Sequence, residues 1–375
     1  MFDFPFTEPS EVTALFALCS YLFIYVKGYN TFLKTGNIVH VDYRFTTGVI
    51  FLFYILISIH CINGDFFHLL DRVHNYNFVD TTQNRQEPVY TLIAKTWDRN
   101  YLMFRLTVWG IAVVCIRNIY QKLKINFHLG FWVFLICYAI LFAYARASAA
   151  MAIYFLGLVL LINKGSSIVG KMLGIVILLL SYEFHHSMLI LILLTPLAFF
   201  PLNKLTFYIA LASLPFIIFF VRIVFSGVLN DISLLDDEVL QRKMESYAER
   251  ESTGSTLRTQ LMDGIKYASA YIPFIVSAFY VVIKKKVDYL SKGQRRLFVY
   301  TFWLFVITTA VSYLDLEINT FFYRMLYMTL IPSTAIFVLL IQKGVISKSL
   351  TMKIIYIAMT SQLLNYSYML YLNSI

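Results

Sequence analysis

Charged residues are scarce in this sequence. They make up 14% of its 375 residues, and hydrophobic residues make up 59%. Soluble globular domains carry about 25% charged residues. A mean hydropathy of +0.70 agrees with this shortage of charge. The composition therefore excludes an ordinary soluble domain and predicts a polytopic membrane protein.

Cysteine is also rare, and its placement excludes two common uses. The four residues form no CxxC pair and no Cys/His spacing typical of a metal site, and each lies inside an apolar run; they are Cys19, Cys61, Cys115 and Cys137. Such cysteines usually pack as small hydrophobic side chains. We therefore expect neither disulfides nor cysteine ligands.

Two further features are missing. The first residues, "MFDFPFTEPSE", lack the positive region of a cleavable signal peptide, so the first apolar segment is expected to remain in the membrane. The chain also shows no internal repeat and no pair of similar halves. This weighs against a transporter built from structural repeats.

Long apolar runs are what the sequence does contain. They divide it into about twelve segments, at 12–26, 46–62, 101–116, 129–144, 147–163, 172–184, 186–202, 205–225, 267–283, 297–314, 323–342 and 354–372. This predicts an all-α, single transmembrane domain over residues 1–375. Two long extracytoplasmic loops are expected at about 63–100 and 226–266. Residues 172–202 could instead form one kinked helix and a re-entrant piece.

The net charge of +10 acts as a topology signal. With the N-terminus outside, 18 of the 31 basic residues but only two of the 21 acids fall in cytoplasmic connections. That asymmetry satisfies the positive-inside rule. The basic run Lys284–Arg296 then reads as an anchor beside anionic lipid headgroups. Nucleic acid is excluded as a partner.

Three ionisable residues stand together in "SYEFHHSMLILIL": Glu183, His185 and His186. A charged side chain at the centre of a membrane helix costs at least about 2.5–3.5 kcal/mol, so such residues are seldom accidental. Glu183 and His186 share a helical face, but no third ligand of equal quality is visible. No metal and no cofactor is expected. An interfacial anchor is the alternative role for the histidines.

Other ionisable residues fall on the same predicted outer side. Arg146 precedes the small residues "ASAAMA", where helices could approach closely; snorkelling to headgroups is the alternative role for it and for Arg324. The remaining candidates are Asp65, Arg85, Glu87, Arg242, Tyr247, Arg258 and Tyr323. Arginine binds phosphate with two hydrogen bonds, and carboxylates and histidines can deprotonate a hydroxyl. The set indicates glycosyl transfer from a lipid-pyrophosphate carrier.

The order of these motifs, over residues 60–330, resembles the EpsG family of bacterial membrane proteins, which are Wzy-like polymerases of exopolysaccharide and capsule. The matching segments are "NGDFFHLLDRV", "RQEPVYTLIAKTW", "YARASAAMAIYFLGLVLL", "FHHSMLILIL" and "FFYRMLYM". The resemblance implies that a growing glycan on undecaprenyl pyrophosphate is passed to a lipid-linked repeat unit at the outer face of the bacterial inner membrane. Both glycans would be partners, with the bilayer and a chain-length regulator protein.

In such a polymerase, Arg146 and Arg324 would bind the carrier pyrophosphate. His186 or His185 would orient or deprotonate the acceptor hydroxyl, with Glu183 fixing the histidine tautomer. Asp65 and Glu87 would be rival bases or would hold sugar hydroxyls. The second long loop would contact glycan or pyrophosphate through Arg242, Tyr247 and Arg258.

Three other functions stay open from the sequence. A flippase or exporter of lipid-linked sugar would also use outer arginines, although it should show charges along a central path. A membrane polysaccharide O-acyltransferase would need arginines on the cytoplasmic side for acyl-CoA. A metal-dependent glycosyltransferase would favour an acidic pair in the first outer loop, which Asp65 and Asp71 fit only loosely.

Overall fold

The computed structural model describes residues 88–97, 101–138, 145–163, 165–231, 271–312 and 328–373, and in these ranges every element is a helix. The α-helices are α1 Pro88–Thr96, α2 Tyr101–Lys122, α3 Phe127–Tyr138, α4 Ala145–Ile162, α5 Ile168–Phe184, α6 Met188–Leu194, α7 Lys204–Asp231, α8 Lys292–Ser312, α9 Leu330–Gln342 and α10 Lys348–Asn373. Short 3-10 helices lie at Thr195–Phe199 and Lys286–Tyr289. Residues 271–278 are helical and continue into a π-helical turn, Phe279–Ile283.

The predicted all-α class is confirmed. Every apolar segment predicted from residue 101 onward contains a helix, and α1 lies within the first predicted long loop. In the described part of the chain, no helix combines the length and apolarity needed to cross a membrane. The segments 12–26 and 46–62, most of the first long loop and nearly all of the second lie outside the described residues. The count of twelve spans stays a prediction.

Helix α4 lies at the centre of the packed core. It contacts α2, α5, α6, α8 and α9, and its small residues Ala149, Ala150 and Ala152 are fully buried. Small side chains let neighbouring helix backbones approach closely, as the sequence predicted for this run. Helix α9 is enclosed as well, because every residue from Leu330 to Ile341 is buried.

The α4–α5 pair is an antiparallel hairpin that is closest at two glycines. A Cβ placed on Gly157 would lie 2.7 Å from the carbonyl oxygen of Gly174, and one on Gly174 would lie 2.9 Å from that of Gly157. Gly157 of α4 faces Leu178 of α5, whereas Leu160, further along α4, faces Gly174, which comes earlier in α5. The two helices therefore run in opposite directions. Backbone contact of this kind requires the absence of both side chains. The first residues of α4 therefore lie beside the last residues of α5.

Residues 172–202 form two helices rather than one kinked helix. Helix α5 ends at Phe184, and His185 follows in an extended conformation with φ −159° and ψ 115°. Helix α6 begins at Met188 and passes directly into the 3-10 helix, which carries Pro196 in its first turn. The break at His185 makes it the C-cap of α5, which places the two histidines in the turn between the helices.

At the other end of the hairpin, three turns are joined by polar side chains. The Nε2 of Gln294 donates to the Leu123 carbonyl oxygen at 2.8 Å, while Gln294 Oε1 accepts from Lys343 Nζ at 3.1 Å. The same Lys343 ammonium donates to the carbonyl oxygen of Tyr289. Burial and the nearby charge of Lys124 lower the pKa of Lys343. This network fixes the ends of α2, α8 and α9 relative to one another.

Candidate functional site

Three of the predicted site residues lie at the C-terminal end of α5. Glu183, His185 and His186 are all half-buried. The backbone N–H of His185 donates to the Ser181 carbonyl oxygen at 3.0 Å, which closes the last turn of the helix. The chain then leaves the helix, so the side chains of residues 185 and 186 no longer follow its helical spacing. The shared helical face that the sequence predicted for Glu183 and His186 is therefore not formed.

The His186 ring is held by an aromatic neighbour. It stacks on Tyr182 with the ring centroids 4.7 Å apart and the planes 21° apart. Such stacking fixes the ring orientation while leaving its nitrogen atoms available at the rim. Glu183 has no hydrogen-bond or ion-pair partner among the described residues, so its predicted role in orienting a histidine stays a prediction.

Helix α1 packs against this end of α5. Tyr90 contacts Phe184 edge-on at 5.8 Å between centroids and contacts Phe104 at 5.2 Å. Both α1 and the start of α2 therefore lie near the end of α5. Helix α1 begins at Pro88, the residue directly after Glu87 in the sequence. Glu87 itself lies outside the described residues.

Helix α4 contributes its first turn to the same end. Arg146 is the second residue of α4, and the antiparallel packing places this turn beside the end of α5. Three described stretches, beginning at Pro88, Arg146 and Glu183, thus come together although about 95 residues separate the first from the last. We call this the α5 end site.

The other predicted site residues lie outside the described part of the chain: Asp65, Arg85, Glu87, Arg242, Tyr247, Arg258, Tyr323 and Arg324. Their places in the site stay predictions. Within the described ranges, no group of three His, Cys, Asp or Glu residues could hold a metal ion.

A buried hydroxyl cluster inside the bundle was missed by the sequence analysis. The hydroxyl of Tyr154 lies 2.8 Å from both the Leu191 carbonyl oxygen and the Tyr300 hydroxyl, and 2.9 Å from Thr195 Oγ1. Tyr300 and Thr195 also donate to the Leu191 carbonyl oxygen, at 3.3 and 3.1 Å. Both tyrosines are fully buried. The cluster joins α4, α6 and α8.

The cause of the cluster is the change from α- to 3-10-helical geometry. The N–H of Thr195 bonds to Ile192 instead of to Leu191, as it would in a continuous α-helix. The Leu191 carbonyl oxygen then lacks its helical partner, and a buried carbonyl without a hydrogen bond is costly. Pro196 directly after an apolar run was the sequence signal for this break. Which hydroxyls compensate for it could not be read from the sequence.

The described fold is thus a helical bundle. Its candidate site lies where the start of α4 meets the end of α5. The sequence model of the EpsG family matches residues 64–374, most of the chain, and the protein belongs to this family. This family is associated with polysaccharide biosynthesis, as the resemblance had implied. No curated protein and no solved structure matches the chain significantly.

Proposed function

We propose that the protein is a Wzy-like polysaccharide polymerase. The non-reducing-end hydroxyl of a lipid-linked repeat unit attacks the anomeric carbon of the growing glycan. A new glycosidic bond forms as the bond to undecaprenyl pyrophosphate breaks. The hydroxyl proton passes to a base of the protein, and undecaprenyl pyrophosphate leaves with the electron pair. Family membership and the composition of the α5 end site support this reaction.

We also propose that the protein works as a multi-pass protein of the bacterial inner membrane, with this site on the outer side. Two observations support the location. The sequence is 59% hydrophobic and only 14% charged, which is typical of polytopic membrane proteins. Helix α5 exposes a row of large apolar side chains: Ile168, Val169, Met172, Leu173, Ile175, Val176, Leu179 and Leu180. Contiguous exposed apolar surface of this kind suits contact with lipid or with other apolar partners.

One observation carries the proposed site: the antiparallel packing of α4 on α5. It brings a turn that contains an arginine beside a turn that contains two histidines and a carboxylate. A guanidinium can stabilise the charge that develops on the leaving pyrophosphate, which is often the largest catalytic contribution. An imidazole can accept the proton of the attacking hydroxyl. In our proposal Arg146 has the first role, together with Arg324, and His186 or His185 has the second.

The test uses a deletion strain complemented with variants of equal membrane expression. Carrier-linked glycans are extracted and sized. Arg146→Ala should accumulate single repeat units, as the deletion should, because pyrophosphate stabilisation is lost. Arg146→Lys should restore little, since lysine keeps the charge but not the two-pronged geometry. Arg117→Ala, an exposed arginine near the opposite end of α2, serves as the control and should polymerise normally.

A second pair of variants separates the chemistry of His186 from its packing. His186→Phe keeps a ring that can stack on Tyr182 but removes both nitrogen atoms, whereas His186→Ala removes the ring as well. If His186 is the base, both variants should lose about 10²–10⁴-fold in rate. Full activity of His186→Phe would assign the base to another residue.

Repeat units trapped only on the cytoplasmic side of the deletion strain would show a flippase instead.

A further inference from the structure

A cavity of about 610 Å³ lies at the opposite end of the bundle from the α5 end site. Its wall comes from the turn after the 3-10 helix, from the turn before α8 and from the first two turns of α8. Three basic side chains line it, Lys292, Arg295 and Arg296, with one acid, Asp288. The lining therefore has an excess of positive charge, and its other residues are apolar.

We call this cavity the basic pocket. Among its three basic side chains, Arg296 is held by two contacts. Its guanidinium lies 4.7 Å from the centre of the Phe199 ring and donates to the Ile162 carbonyl oxygen at 3.5 Å. Ile162 is the last residue of α4, so the charge sits at the negative end of that helix dipole. These contacts hold the guanidinium in place without neutralising it. No carboxylate among the described residues forms an ion pair with any of the three cations, and Asp288 is exposed.

The rim of the basic pocket is apolar and open. Phe199 and Phe200, which line the cavity, are 51% and 56% exposed. The start of α7, which follows shortly after Leu202 of the lining, also exposes apolar side chains, because Leu205 and Ile209 are 67% and 56% exposed. A cluster of cations, of which Arg296 is held by its contacts, therefore adjoins uncovered aromatic and aliphatic side chains. A ligand that fits both parts carries an anionic head and a hydrocarbon tail.

We propose that this pocket binds the phosphate headgroup of an anionic membrane lipid, with Lys292, Arg295 and Arg296 on the phosphate and the acyl or prenyl chain along Phe199, Phe200 and the start of α7. A free phosphate would use the cations but would leave the apolar side chains uncovered. The site is separate from the α5 end site, because α4 has 18 residues and spans about 27 Å between the two. The inference rests on the membrane location proposed above but not on the polymerase reaction.

Native mass spectrometry of the detergent-solubilised full chain tests this. Phosphatidylglycerol, phosphatidylcholine and inorganic phosphate are titrated separately. The wild type should bind one phosphatidylglycerol more tightly than phosphatidylcholine, and millimolar inorganic phosphate should not displace it. Lys292→Gln/Arg295→Gln should weaken phosphatidylglycerol binding about tenfold or more, as expected for the loss of charge-assisted hydrogen bonds. Lys122→Gln/Lys171→Gln removes the same charge from exposed positions outside the pocket and should change nothing.

A gain of binding gives a readout that a folding defect cannot mimic. Asp288→Asn removes the acid from the pocket and should strengthen phosphatidylglycerol binding about two- to fivefold, the range of an exposed charge interaction. Equal losses in Lys292→Gln/Arg295→Gln and in the control Lys122→Gln/Lys171→Gln, or no gain in Asp288→Asn, would overturn the assignment of the pocket. Equal binding of phosphatidylcholine, or displacement by inorganic phosphate, would overturn the lipid as its ligand.

The two proposals fail separately. Lys292→Gln/Arg295→Gln can lose lipid binding in vitro while the complemented strain still makes carrier-linked polymer, which would support the pocket as an independent site. Normal polymerisation by Arg146→Ala would refute the polymerase assignment of the α5 end site and would leave the measured lipid affinity unaffected.

Discussion

The hydroxyl cluster around the Leu191 carbonyl oxygen yields a quantitative prediction. Tyr154→Phe removes a hydroxyl that contacts three groups within 2.9 Å. The Leu191 oxygen keeps the hydroxyls of Thr195 and Tyr300, so no acceptor is orphaned. The expected cost is that of one buried hydrogen bond, about 1–1.5 kcal/mol in the free energy of unfolding. Tyr300→Phe should cost about 1 kcal/mol by the same reasoning, because its bond to Leu191 is longer.

The double variant tests whether the hydroxyls of Tyr154 and Tyr300 contribute to stability together. Each single variant already removes the hydrogen bond between the two tyrosines, so this bond is counted twice when the two single costs are added. The Leu191 oxygen keeps the Thr195 hydroxyl at 3.1 Å even in the double variant. The double variant Tyr154→Phe/Tyr300→Phe should therefore cost less than the two single variants together. A coupling of about 0.5–2 kcal/mol is expected for residues in direct contact.

The assay is reversible unfolding of the detergent-solubilised full chain, with all four proteins compared in one detergent. Tyr120→Phe provides a control: Tyr120 is also fully buried, but the bond of its hydroxyl to the Gly130 carbonyl oxygen is longer, at 3.4 Å. It should cost less than either cluster variant. Additive effects of Tyr154→Phe and Tyr300→Phe, or single-variant costs no larger than that of Tyr120→Phe, would refute the cluster as a shared support of Leu191.

Three further expectations concern the packing and the turns. Gly174→Ala should destabilise the fold by about 1–3 kcal/mol in the same unfolding assay, because its Cβ meets the backbone oxygen of Gly157 at 2.9 Å; an unchanged stability would show that the hairpin can separate freely. Gln294→Leu should cost about 1–3 kcal/mol, since it leaves buried polar partners unbonded; a neutral effect would remove Gln294 from the support of the turns. The pKa of Lys343 is lowered in the fold, so the unfolded chain binds more protons between that lowered pKa and the ordinary 10.5. Stability should therefore rise with pH across this window in the wild type relative to Lys343→Met, and an opposite slope would contradict a lowered pKa of Lys343 in the fold.

Much of the helical layout could be predicted from the sequence alone. Apolar runs of sufficient length predicted helices, because a helix satisfies its own backbone hydrogen bonds while its apolar side chains are buried. Charged or polar residues marked the helix ends. The segment 172–184 was placed within a few residues of α5, and the histidine pair was recognised as the point where the apolar run is interrupted. The predicted close approach at the small residues of α4 followed from side-chain size.

Tertiary structure alone decided which of these parts meet. The Tyr154–Tyr300 contact joins residues 146 positions apart, and the facing of Gly157 and Gly174 depends on how two helices rotate about their axes. Neither is encoded in local periodicity. The basic pocket also depends on tertiary structure. In the sequence its charges indicate only a topological anchor, whereas in the fold Phe199 packs beside Arg296 and the two help to line a cavity. Local composition fixes which segments are helices, whereas the pairing of their faces depends on the packing of the whole chain.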